Sequence, residues 1–149
     1  MKNLSASILA RLKIFSKDSG LDFTLVSRLY MQEGLLRRIS LSSYSESFYL
    51  KGGLLLYSLS RFSSRPTQDI DLLGSKISGG ELELRGIIKE ILSVTAEDGL
   101  IFDTESINFT DITEGADYQG KRIKVSCSLG NMKTNLKLDI GFGDTVYPA

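Results

Sequence analysis

The chain has 149 residues, 42% of them apolar and 24% charged, and its 18 lysines and arginines balance 18 aspartates and glutamates. This is the composition of one globular domain with its own core, and zero net charge supplies no bulk field toward nucleic acid or membrane, leaving only a local basic patch open. With no histidine and one cysteine, Cys127, the chain offers no Ser-His or Cys-His nucleophile, no zinc-histidine site and no internal disulfide.

The N-terminus, MKNLSASILARLKIF, is basic and amphipathic and lacks the continuous apolar block of a secretory leader. No apolar run approaches the roughly 18 residues needed to span a bilayer. A cytoplasmic location without membrane attachment is expected. Leu4, Ile8, Leu12 and Phe15 recur at helical spacing and predict a first amphipathic helix. After a break around Gly20, a second helix is predicted over about Thr24 to Arg37, carrying Leu25, Leu29, Leu35 and Leu36. Arg37 and Arg38 fall near its C-terminal end, where cations favour the helix dipole.

The polar segment 41–47 then leads into a β-like run, Ser47 to Lys51, that ends in Gly52-Gly53. A short apolar helix is predicted from Leu54 to Leu59, then a loop from Arg61 to Gln68, with Pro66 holding Arg65 out of helical geometry. Asp69-Ile-Asp-Leu-Leu73 reads as a strand, 74–80 as a turn region and Glu81 to Thr95 as a helix. The last third is β: Ile107 and Phe109 alternate with polar residues. Ile123, Val125, Cys127 and Leu129 form one hairpin arm, and Leu136, Leu138 and Ile140 the other, around Gly130-Asn131.

Chemistry must therefore rest on carboxylates, lysine, arginine, tyrosine or a bound metal. Asp69 and Asp71 flank one apolar residue on a strand, so both carboxylates leave the same face with Cα atoms about 7 Å apart. Such a pair suits a hard divalent cation, though a solvated strand end reads the same way. Asp139 leaves its own strand on the side away from Leu138 and Ile140. Were that strand beside the first, three acids would converge and could hold one or two metal ions around an in-line displacement at phosphorus. Lys137 shares that face and could instead pair with Asp139. Gly52-Gly53 before a helix permits close approach of backbone amides to phosphate, and Lys51, Arg61 and Arg65 could neutralise phosphate charge.

Three segments, Leu50-Lys-Gly-Gly53, Arg65-Pro-Thr-Gln-Asp-Ile-Asp-Leu72 and Leu138-Asp-Ile-Gly-Phe-Gly-Asp144, occur in this order. Together they resemble the AbiEii/AbiGii abortive-infection toxins, part of the nucleotidyltransferase superfamily with a DNA polymerase β-like fold. The resemblance runs from about Val26 to Pro148. It implies an α/β (α+β) fold in which helices flank a mixed central sheet. The whole chain, 1–149, would form a single domain, with N-terminal helices to about residue 40, a core over about 46–149 and a C-terminal β-hairpin. The helical C-terminal half of longer family members is expected to be absent from these residues.

The resemblance also implies Asp69, Asp71 and Asp139 as catalytic and metal-binding acids. Lys51, Gly52, Gly53, Arg65 and Thr67 would contact nucleotide. Mg²⁺ or Mn²⁺ would be the cofactor and an NTP the substrate, with NMP passed to an acceptor such as tRNA or another RNA. A cognate antitoxin would be the partner. A catalytically incomplete nucleotide-binding domain that acts through partner binding is the alternative, and a plain α/β interaction module a further one.

Overall fold

The computed structural model describes residues 4–50, 69–74, 80–115 and 117–142. Their elements are helices α1 (Leu4–Ser19), α2 (Phe23–Leu41) and α3 (Glu81–Leu92), and strands β1 (Phe48–Leu50), β2 (Asp69–Gly74), β3 (Leu100–Glu114), β4 (Asp117–Leu129) and β5 (Met132–Gly141). The strands form one mixed sheet in the order β1-β2-β5-β4-β3. All neighbours are antiparallel except β2 and β5, which run parallel. The helix predicted over 54–59, the loop over 61–68 and most of the turn region after Gly74 lie outside the described residues.

Strand alternation divides the sheet into two unlike faces. Ile70, Leu72, Ile123, Val125, Cys127, Leu129, Leu136, Leu138 and Ile140 are buried on one of them. They form a single core with Met31, Leu35 and Ile39 of α2 and Leu84, Ile87, Ile88 and Ile91 of α3. Each such side chain, fully buried, contributes on the order of 1.5–3 kcal/mol. The other face presents Asp71, Arg122, Lys124, Asn135, Lys137 and Asp139, all at least partly exposed.

The helices begin and end where local chemistry dictates. Asp22 caps α2, its carboxylate accepting from the Thr24 amide at 3.0 Å. Glu81 and Glu83 occupy the first turn of α3 and Lys89 its last, the order that the dipole favours. Helix α3 stops at Leu92, three residues short of the predicted end at Thr95: Ser93 is its C-cap, with its amide shared among the Lys89, Glu90 and Ile91 carbonyls, and the Val94 amide tightens to the Ile91 carbonyl. In α1 only Ile8 of the predicted stripe is buried, with Leu12 partly buried against the core. Leu4 and Phe15 stand 43% and 41% exposed, so the stripe is shorter than its periodicity suggests.

Arg37 and Arg38 do more than sit near a helix end. Arg38 is 3% exposed and grips Asp98, itself 5% exposed, through two bonds of 2.7 and 3.0 Å, while Arg37 adds a third at 3.0 Å. Arg38 also lies over the Phe102 ring, 4.9 Å from its centroid. Burial alone would raise the Asp98 pKa, but the Arg38 hydrogen bond, the Leu100 amide and the two guanidinium charges together hold it below the ordinary aspartate value. This buried ion pair ties α2 to the start of β3.

β3 is longer than its sequence pattern suggests because its alternation changes phase midway. Between the pairs Asp103↔Ser126 and Asn108↔Lys124 it advances five residues while β4 advances two. The odd excess switches the inward positions from Leu100 and Phe102 to Ile107 and Phe109. Asp103 and Ser106 seal the irregularity: Asp103 accepts from the Glu105 amide at 3.0 Å, and the Ser106 hydroxyl accepts from the Ser126 amide at 2.9 Å.

Candidate functional site

The parallel pairing of β2 with β5 places Ile70 beside Leu138 and Asp71 beside Asp139. Adjacent strands are about 4.8 Å apart. With Ile70, Leu72, Leu138 and Ile140 all buried on the core side, Asp71 and Asp139 leave the opposite face together. Residues 68 positions apart in the chain are thus nearest neighbours across one ladder. Asp69 opens β2 at the register position opposite Lys137; its side chain is not among those described.

Asp139 also has a neighbour that strand patterning alone does not announce. Arg122 of β4 is its cross-strand partner, and the guanidinium meets the carboxylate side-on, Nε to Oδ1 at 2.8 Å and Nη2 to Oδ2 at 2.9 Å. This two-bond fork fixes the carboxylate plane as well as its position. The Asp139 side chain is 18% exposed and that of Arg122 42%, so the pair sits at the edge of solvent. The pairing of Asp139 with Lys137 entertained from sequence is thereby corrected: Lys137 lies two residues along the same strand, while Arg122 is directly opposite.

The donor set suits a hard cation. Asp71 and Asp139 offer only oxygen ligands, and Mg²⁺ is commonly held by one or two carboxylates together with substrate phosphates. The fork occupies one lone pair on each Asp139 oxygen and leaves a second on each available. Among the described side chains no group of three acids or other metal-ligating residues comes close enough to hold a metal. Lys51, Gly52, Gly53, Arg61, Arg65 and Thr67 lie outside the described residues.

Two concavities lie away from the acid pair. One, of about 540 Å³, runs between Ser43, Tyr44 and Ser47 and the outer side of α3. Another, of about 250 Å³, separates α1 from α2 near Tyr30 and Glu97. Neither is lined by Asp71, Arg122 or Asp139.

A family model described as nucleotidyl transferase AbiEii toxin, type IV TA system, matches residues 34–149. The chain belongs to the AbiEii family. Two solved structures from Helicobacter pylori share its fold. JHP933 superposes with a TM-score of 0.55 at 20% identity, over 87% of this chain and 47% of that one. A protein provisionally described as a nucleotidyltransferase gives 0.53 at 19% identity, over 83% and 48%. The chain thus spans about half the length of these structures. No curated protein matches it. The expected α+β architecture, a mixed sheet with helices and a terminal hairpin, is the fold observed. Among the described residues no helix is long and apolar enough to cross a membrane.

Proposed function

We propose that this AbiEii-family chain carries the nucleotide-transfer site of a toxin, moving NMP from an NTP to an acceptor hydroxyl with loss of pyrophosphate. The observation that supports this most is the in-register pair Asp71 and Asp139, half-buried side by side on the sheet face opposite the core. Asp69 and Asp71 would hold Mg²⁺ or Mn²⁺ against the triphosphate, with Asp139 completing the set. When bound, the metal supplies charge neutralisation for the phosphoryl oxygens and the leaving pyrophosphate.

The chain's own residues do the rest. Asp139 accepts the proton of the attacking hydroxyl, and Arg122 holds its carboxylate plane so that the accepting oxygen keeps one orientation. Lys51, Gly52, Gly53, Arg65 and Thr67 would contact the nucleotide, as the family motif implies. A tRNA or other RNA as acceptor, an antitoxin as partner and a cytoplasmic location complete the reading.

The test is pyrophosphate release by the purified chain with Mg²⁺, each NTP and total cellular RNA, beside an Asp69→Asn/Asp71→Asn variant. Release that vanishes in the variant supports the transferase. A second reading, a nucleotide-binding domain without turnover, is favoured by the Arg122 fork, which already engages both Asp139 oxygens. An Mg²⁺-dependent thermal shift with NTP but no pyrophosphate would select it.

A further inference from the structure

Three successive rows of cross-strand partners cross β4 and β5 on the face opposite the core. In the first, Arg122 forks Asp139. In the third, the Ser126 hydroxyl donates to the Asn135 side-chain oxygen at 2.9 Å. The row between them sets Lys124 directly against Lys137. Like charges facing each other across a ladder are destabilising, so within the β4–β5 ladder two complementary rows enclose one that repels, while Asp69 takes the register position on the far side of Lys137 in β2. Lys124 is exposed and Lys137 half-buried, and no described side chain forms an ion pair with either. The core side of this row is closed by Ile123, Val125, Leu136 and Leu138, so both stems are directed outward.

We infer that Lys124 and Lys137 form a phosphate subsite beside the acid pair. Lys137 lies two residues from Asp139 on one strand and Lys124 two residues from Arg122 on the next, about 7 Å along the sheet in each case. A phosphate ester bridging the two ammonium groups relieves their repulsion and gains two charge-assisted hydrogen bonds. Two sources share this chemistry: the triphosphate of the NTP, or the phosphodiester backbone of a nucleic-acid acceptor. The inference rests on the transfer reading only for the choice of these probes.

The experiment measures binding of inorganic triphosphate and of a labelled single-stranded RNA 12-mer to the full chain in EDTA. Wild type is compared with Lys124→Gln/Lys137→Gln and with Lys89→Gln, which removes a charge from α3. The double variant is expected to weaken one probe at least fivefold, and Lys89→Gln neither. Loss confined to triphosphate assigns the subsite to the NTP. Loss confined to RNA assigns it to the acceptor, with the salt slope shallower by about 0.7 per lysine. Unchanged affinity for both probes, or an equal loss in Lys89→Gln, overturns the inference. Omitting metal keeps the two readings apart: failure of the transferase shows instead as no Mg²⁺-dependent pyrophosphate release by wild type.

Discussion

Arg122 holds Asp139 by two nearly equal bonds, 2.8 and 2.9 Å, across the β4–β5 ladder, with Asp71 in the neighbouring register position on β2. The fork distinguishes the roles of the three residues. Asp139→Asn is expected to lower kcat by about 10²–10⁴-fold, the usual contribution of a positioned base, and Asp71→Asn to abolish metal-dependent nucleotide binding. Arg122→Lys keeps the charge but not the planar fork. It should lower kcat at least about tenfold, equivalent to about 1.4 kcal/mol, with little change in KM for NTP. Steady-state pyrophosphate release checks all three, and an unchanged kcat in Arg122→Lys would remove the positioning role.

The buried Arg38–Asp98 pair predicts a different outcome, in stability. Asp98→Asn leaves a buried guanidinium without its counter-charge and should cost about 3–5 kcal/mol, read as a lower urea midpoint. Because the folded Asp98 pKa lies below its unfolded value, the stabilisation is fully present above the ordinary value of 3.8 and is lost as pH falls through the lower folded value. The gap between wild type and Asp98→Asn should therefore close only in strongly acidic solution. A gap that already closes near neutrality would contradict the depressed pKa.

Two glycines should respond oppositely to alanine. Gly120 has φ +153°, and a Cβ there would land on the Ile140 carbonyl oxygen. Backbone must move, so Gly120→Ala is expected to destabilise by about 1–3 kcal/mol. Gly86 is exposed within α3, and a Cβ there meets nothing. Gly86→Ala should stabilise by about 0.5–1 kcal/mol. Thermal melts of the two variants, side by side, provide the check.

Cys127 is fully buried in the sheet core, and burial pushes its thiol up to about 12. The thiolate is the reactive form, so native protein at pH 8 should resist iodoacetamide and react promptly in urea. Rapid alkylation of the native chain would place this strand outside the core.

The sequence carried the strand alternation that points Asp71 and Asp139 outward, but not the long-range pairing of β2 with β5 that makes them neighbours. Parallel pairing depends on the whole core, which no local pattern encodes. The Arg122 partnership was within reach: a two-residue turn at Gly130-Asn131 pairs Leu129 with Met132, and counting back along both arms arrives at Arg122 opposite Asp139. The Arg38–Asp98 pair was not. Arg38 sits at a helix end where a solvated cation is ordinary, and only the tertiary position of Asp98 draws it inside. Likewise, the phase change in β3 hid the strand's first half, because no single period-2 pattern runs through it.

The adjacency of Asp71 and Asp139 has a consequence for the order in which a ribosome makes this chain. The second acid emerges only after the β4–β5 turn, and the ladder that aligns it with the first is the β2–β5 pairing itself. A nascent chain that ends before β5 has one half of the pair and no partner strand to hold it. Loop closure over that separation comes late in folding, so the two carboxylates meet only as the sheet is completed.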